Sequence, residues 1–126
     1  MWATATRLTS GRGWRVSLEG LRIDPIEVIR VNEHRLAAGC EALQWHEPTA
    51  RVAETHSRDM ATREYFDHLT PEGTDLTRRM LAGGVRWLGS IAENIALTAQ
   101  GPAVVIDLWV DSPPHRTNLE NCIFTH

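Results

Sequence analysis

The chain has 126 residues, 42% of them hydrophobic, a size and composition typical of one domain with a modest core. Its 16 acidic and 13 basic residues give a net charge of −3, so no nucleic-acid-binding surface is predicted. No run of about 18 apolar residues occurs, so no transmembrane helix is expected. The N-terminal stretch lacks the apolar segment of a secretory signal, so a signal for export would have to lie outside this chain.

Residues 1–23 differ in composition from the rest of the chain, since they carry four arginines and one acidic residue. Trp14, Val16 and Leu18 alternate with polar residues, a pattern that predicts a short strand. A poorly ordered extension fits the same composition equally well. We therefore divide the chain into an N-terminal extension over 1–23, either disordered or one strand, and a folded domain over 24–126.

The first helix is predicted from Asp24, a natural N-cap that precedes a proline. Glu27 stands in the position that completes a capping box. Ile26 and Ile29 are interspersed with charged residues at helical spacing, which predicts an amphipathic helix that ends at Gly39.

Four more helices are predicted farther along the chain. A second helix covers 48–66, and a shorter third helix covers 76–81 and ends at a pair of glycines. Pro102 begins a fourth helix, and Ser112 is a natural N-cap for a short last helix. Residues 85–97 show no clear periodicity and are expected to be irregular.

His68 lies in the stretch YFDHLTPEG, at the point where the second helix gives way to a predicted turn over 70–73. Side chains at such boundaries are held by a rigid element and still reach the surface, which favours binding and catalytic roles. His115 is the third residue of the last helix, whose N-terminus favours the neutral imidazole that binds metals or acts as a base. An ordinary surface histidine is the alternative for each.

Glu93 lies in the apolar stretch IAENIAL, where a carboxylate needs a partner or a hydrogen-bond network. A surface loop acid, or a glutamate that accepts hydrogen bonds from backbone amides, is the alternative. Glu93 is far in sequence from both His68 and His115, so the three residues match no local metal-binding motif. From the residues alone, a site of two histidines and one carboxylate is therefore only a hypothesis.

Three segments in this order, HSRDMATREYFDHLTPEG, AENIAL and WVDSPPHRTNLENC, resemble the bacterial SCP-like branch of the CAP superfamily. That superfamily includes cysteine-rich secretory proteins, antigen 5 proteins and plant pathogenesis-related proteins, and the resemblance covers roughly residues 25–126. It implies an α+β fold, an α-β-α sandwich in which four main helices cover a small antiparallel sheet, and an extracellular or cell-envelope location. Because the family domain continues with further strands, the sheet is expected to be incomplete at the C-terminus, where CIFTH would begin a strand.

In that family a cleft carries two histidines and two acids, and the resemblance places His68, Glu93 and His115 at three of these positions. Ala92 replaces the usual glycine before the glutamate, and Ser112 occupies the position of the fourth acid. The resemblance thus implies a metal site of two imidazoles and one carboxylate, with zinc or another divalent cation as the cofactor.

Three functions are consistent with such a cleft. A secreted binding module for a lipid or glycan ligand is favoured, because no nucleophile without another structural role accompanies the histidines. A metal-dependent hydrolase with Glu93 and His115 as catalytic residues is the first alternative, although Glu93 would then have to be both ligand and base. A structural domain with a vestigial cleft is the second alternative.

Two cysteines are present, Cys40 after the first helix and Cys122 at the start of the terminal segment. These are two element ends that a sandwich could bring together, so we predict a disulfide between them, which requires an oxidising compartment. Two buried free thiols are the alternative.

Overall fold

The structure, a computed structural model, describes residues 4–7, 23–87 and 89–126. Its elements are, in chain order, β1 (Thr4–Arg7), α1 (Pro25–Ala37), α2 (Glu47–Arg63), α3 (Leu76–Ala82), β2 (Ile95–Thr98), α4 (Pro102–Asp111) and α5 (Pro113–Leu119). The fold is helix-rich, as predicted, and no helix in these ranges is long and apolar enough to cross a membrane. The strand predicted around Val16 lies outside the described residues, so it stays a prediction.

The helices begin where prolines and capping residues predict them. Oδ1 of Asp24 accepts a hydrogen bond of 2.9 Å from the backbone N–H of Ile26, as expected of an N-cap. Helix α2 ends at Arg63, earlier than predicted, because Glu64 adopts a left-handed conformation with φ of 55°. A non-glycine residue seldom takes this conformation, so the sequence carries no signal for this end.

Helix α1 buries the face opposite to the one that its isoleucines indicate. Ile26 and Ile29 are 42% and 56% exposed, whereas Glu27, Val31 and Arg35 are buried. The two buried charged residues reverse the expected orientation. Carbonyls from other parts of the fold satisfy Arg35 and are not visible in the sequence of this helix. Glu27 accepts a hydrogen bond from the backbone of Asp24, the N-cap of the same helix.

Arg35 is 1% exposed, and its guanidinium donates four hydrogen bonds to backbone carbonyls. The acceptors are Glu41 at 3.0 Å, Leu119 at 2.8 Å, Asn121 at 3.1 Å and Phe124 at 2.9 Å. The segment after α5 therefore folds over Arg35. Residues 122–126 do not form the strand predicted for CIFTH. The carbonyl of Phe124 accepts from Arg35, and the carbonyl of Thr125 accepts from the backbone N–H of Gln44 at 2.8 Å, without a strand ladder.

The described sheet consists of two strands, β1 and β2, which run parallel with Thr4 opposite Ile95. The expectation of an antiparallel sheet is wrong for this pair, because the long connection through three helices brings β2 back in the same direction as β1. Strand β2 also begins within the stretch 85–97 that was expected to be irregular. The α-β-α sandwich stays a prediction, since two strands of four residues are all the sheet described.

The main apolar core lies between α1, β2, α4 and the C-terminal segment. Trp109 of α4 is 1% exposed and donates from Nε1 to the carbonyl of Ile95 in β2 at 3.1 Å. Its buried neighbours in this core are Val31, Leu43, Ala96, Val105, Ile106, Leu119 and Phe124. Since Glu93 closely precedes β2 and His115 closely follows α4, the same core holds both regions in place.

The predicted disulfide is present between Cys40 and Cys122, whose Cα atoms are 4.9 Å apart. It closes a separation of 82 residues and joins the end of α1 to the segment that Arg35 binds. The alternative of two free thiols is thereby excluded.

Candidate functional site

His68 lies beyond the end of α2 at Arg63 and just before the turn predicted for 70–73. The backbone N–H of Gly73 donates to the carbonyl of Thr70 at 2.8 Å, and Gly73 has a φ of 80°, as a turn glycine should. Buried His56 of α2 donates from Nε2 to the carbonyl of Asp67 at 2.9 Å, which fixes the backbone immediately before His68. The His68 side chain is 53% exposed, so the turn presents it to solvent on a fixed backbone.

Glu93 forms the buried centre of the site, with a side chain that is 3% exposed. Its Oε1 accepts a hydrogen bond of 2.9 Å from Nδ1 of His68. Arg79 of α3 donates to both carboxylate oxygens, Nη1 to Oε2 and Nη2 to Oε1, each at 2.8 Å. Arg79 Nη2 also donates to the carbonyl of His68 at 3.0 Å. One arginine therefore positions the carboxylate and the histidine together.

Hydrogen bonds within this cluster shift the ionisation of Glu93 and His68 towards the charged forms. Burial alone would raise the pKa of Glu93, but the hydrogen bonds from His68 and Arg79 outweigh it and hold the pKa below its ordinary value. The same hydrogen bond raises the pKa of His68 above 6.5, because Glu93 stabilises the imidazolium. The carboxylate of Glu93 thus pairs with the guanidinium of Arg79 and with an imidazole whose protonated form it stabilises.

His115 is the third residue of α5 and is partly buried. Its Nδ1 hydrogen-bonds the hydroxyl of Ser112 at 2.7 Å, and its backbone carbonyl accepts from Nδ2 of Asn94 at 3.0 Å. Burial, followed by the charge of His68, lowers the pKa of His115. Burial and the charge of His68 therefore favour the neutral imidazole that was expected from the sequence.

Of the three predicted residues, His68 and Glu93 are in direct contact, and His115 is linked to His68 through the charge that lowers its pKa. No described residue hydrogen-bonds Nε2 of either histidine. Over 4–7, 23–87 and 89–126, no three histidine, cysteine or acidic side chains are arranged to hold one metal ion. The three-ligand metal set therefore stays a prediction.

Sequence reasoning missed two residues of the site and misjudged a third. Arg79 has no local signal, although a buried Glu93 implies that some cation should face it. Asn94 follows Glu93 directly and links β2 to α5, since its Oδ1 accepts from Asn118 at 2.8 Å. Ser112 is the N-cap of α5 but makes no side-chain cap hydrogen bond and contacts His115 instead.

The family model described as "CAP: Cysteine-rich secretory protein family" matches residues 28–126, well over half of the chain. The chain belongs to this family. A search of solved structures finds a crystal structure of an extracellular protein containing a SCP domain from Bacillus anthracis strain Ames, with a TM-score of 0.77 and 32% identity. The match covers 85% of this chain and 35% of that chain, which supports the bacterial SCP branch of the family.

Two proteins of Bacillus subtilis strain 168 are also similar to this CAP domain. The uncharacterized membrane protein YlbC is 40% identical over 105 residues, which cover 82% of this chain and 28% of YlbC. The uncharacterized protein YkwD is 34% identical over 95 residues, which cover 75% of this chain and 37% of YkwD. This CAP chain thus matches only about a third of the length of each relative, so the similarity describes a domain.

Proposed function

We propose that this CAP domain is an extracellular binding module whose cleft holds zinc or a similar divalent cation together with a lipid or glycan ligand. The observation that carries the proposal is the hydrogen bond from Nδ1 of His68 to the buried carboxylate of Glu93. Metal-binding histidines commonly donate their second ring N–H to a carboxylate in this way, which fixes the tautomer and leaves the other nitrogen for the metal. The Bacillus anthracis relative is described as extracellular, which supports the location.

In this proposal, Nε2 of His68 and Nε2 of His115 bind the cation, while Glu93 positions His68. We revise the role of Glu93 because Arg79 and His68 already engage both of its oxygens. Ser112 positions His115 in the corresponding way, through its hydroxyl. A bound zinc ion would supply open coordination positions for an oxygen atom of the ligand.

The pH dependence of binding follows from the pKa of His68. Its imidazole must be neutral before Nε2 can bind a cation. Because Glu93 raises the pKa of His68, zinc affinity should start to fall at a higher pH than the ~6.5 of an isolated histidine. His115, whose pKa is lowered, should limit affinity only at lower pH.

Titration calorimetry with zinc chloride tests the proposal. His68→Ala or His115→Ala should abolish the cleft site without loss of folding, and Glu93→Gln should weaken it by about 10- to 100-fold. His34→Ala, a histidine of the α1 surface that pairs with Glu120, is the matched control and should leave zinc affinity unchanged. Zinc binding that is the same in wild type, His68→Ala and His115→Ala would leave a structural domain with a vestigial cleft.

A hydrolase is the second candidate, and the 2.7 Å hydrogen bond between Ser112 and His115 favours it. Neutral His115 can accept a proton from a hydroxyl or from water, whereas Glu93 is a poor base because its pKa is lowered and both oxygens are engaged. Release of p-nitrophenol from p-nitrophenyl acetate, measured with and without zinc, tests this candidate. Activity that survives both His115→Ala and Ser112→Ala would rule out this pair.

A further inference from the structure

We propose a second metal site, separate from the cleft, formed by the imidazoles of His46 and His126. His46 immediately precedes α2, and His126 lies in the segment that folds over Arg35. The two ring centroids are 5.7 Å apart. Two imidazoles that share one ion at about 2.0–2.1 Å per nitrogen have ring centroids about 5 to 6 Å apart, so the pair already has the spacing of a shared cation.

A threonine hydroxyl holds each ring through the same nitrogen. Nδ1 of His46 hydrogen-bonds Oγ1 of Thr49 at 2.8 Å, and Nδ1 of His126 hydrogen-bonds Oγ1 of Thr125 at 2.9 Å. Thr49 is itself only 4% exposed, so its hydroxyl is a fixed partner. Within the described parts of the chain, Nε2 of neither ring makes a hydrogen bond. This is the arrangement in which an outer hydrogen bond orients a ring and leaves the second nitrogen for a metal.

Both histidines line a cavity of about 580 Å³ between the start of α2, the loop after α3 and the C-terminal segment. Its described lining contains no aspartate or glutamate, and its one charged side chain, Arg86, is exposed to water. Hard cations such as calcium and magnesium prefer carboxylate oxygens. Two neutral imidazoles instead select copper(II), nickel(II) or zinc(II), with copper(II) bound most tightly.

An ion at this site would join residues 80 positions apart in the sequence and hold the C-terminal segment against α2. The proposal does not depend on the cleft, because it uses neither His68 nor His115. The pair also differs from the cleft, because among the described residues threonine hydroxyls, and not a buried carboxylate, orient the two rings.

Copper(II) titration of the His68→Ala/His115→Ala double variant tests the site with the cleft removed. We expect one copper(II) ion per chain, an electron paramagnetic resonance spectrum with nitrogen coupling from two imidazoles, and a raised melting temperature. Adding His46→Gln or His126→Gln should weaken binding by about 100-fold, and adding Thr49→Val by about tenfold. Adding His34→Gln, the control, should change nothing.

The outcomes separate the two sites. Copper(II) affinity that is the same in the double variant with and without His46→Gln or His126→Gln would overturn the second site, provided circular dichroism shows that the variants fold. Loss of one zinc ion per chain in the single cleft variants, with copper(II) binding retained in the double variant, would support both sites. A double variant that binds copper(II) without two-nitrogen coupling would also overturn the proposed pair.

Discussion

Two glutamates of this CAP domain are buried in different regions and have opposite ionisation behaviour. Glu27, at the start of α1, is 2% exposed, and Glu93, in the cleft, is 8% exposed. Burial raises the pKa of Glu27 to about 8, and the hydrogen bond from the Asp24 backbone only partly offsets this. Within 4–7, 23–87 and 89–126, Oε2 of Glu27 has no hydrogen-bond partner. Glu93 has Arg79 and His68 as partners, and its pKa is lowered.

The difference shows that partners, and not burial, decide the charge of a buried carboxyl. Glu27 completes a capping box, but no cation among the described residues stabilises its charged form, so it is best accommodated as the neutral acid. Glu93 is enclosed by cations that stabilise the carboxylate more than burial destabilises it. The carboxyl of Glu93 is therefore favoured in its charged form, whereas the carboxyl of Glu27 is mostly neutral at pH 7.

Replacing Arg79 should have the largest effect on stability. It should also leave Glu93 with a raised pKa, like that of Glu27. Arg79→Met leaves a carboxylate that is 3% exposed without its two-point partner, which should lower the free energy of unfolding by about 3 kcal/mol or more. The pKa of Glu93, followed by NMR of the side-chain carboxyl, should rise above its ordinary value. The control is Arg51→Met, which breaks an exposed pair with Glu47 and should cost under about 0.5 kcal/mol in urea unfolding. Equal losses in both variants would contradict the buried-pair interpretation.

Replacing Glu27 by a neutral residue should instead raise the free energy of unfolding. Above pH 4.5 the unfolded chain ionises Glu27 while the fold keeps it protonated up to about pH 8, so wild-type stability falls as pH rises through this window. Glu27→Gln mimics the protonated form and should stabilise the fold by roughly 1–3 kcal/mol at pH 7. Urea unfolding from pH 5 to 8 should show a weaker pH dependence in this variant. Glu93→Gln, the matched change in the cleft, should destabilise the fold, and stabilisation by both would refute the comparison.

The smallest effect is expected from His68, whose side chain is half exposed, so water screens its pair with Glu93. His68→Asn should lower the free energy of unfolding by less than about 1 kcal/mol. Because the folded pKa of His68 is raised, its contribution is complete below pH 6.5 and is lost as pH rises through the folded pKa. The difference between wild type and variant should therefore shrink from pH 6 to pH 8. A constant difference would mean that packing, and not charge, is what His68 contributes.

Local signals were enough to predict where most helices begin. Asp24, Pro102 and Ser112 each lie at a predicted start, since capping residues and prolines act within one turn. The buried face of α1 was not predictable, because three of the four carbonyls that satisfy Arg35 are distant in sequence. The parallel pairing of β1 with β2 is likewise set by packing between distant segments.

Local sequence signals were also insufficient to predict the candidate site. His68, Glu93 and His115 were identified because three short segments resemble a known family, not because their spacing forms a motif. Arg79 was missed, since an arginine on a short helix looks like any surface arginine until a buried carboxylate is placed opposite it. The hydroxyl of Ser112 was expected to cap α5, but a partly buried imidazole three residues later is its partner instead.

The buried guanidinium of Arg35 also sets an order of events as the chain is made. Three of its four carbonyl acceptors lie 84, 86 and 89 residues later in the sequence. Until residue 124 has been synthesised, packing α1 into its final place would bury a cation whose acceptors do not yet exist. Such distant contacts form late in folding. Helix α1 therefore has to wait for the segment that ends at residue 124 before it can reach its final position.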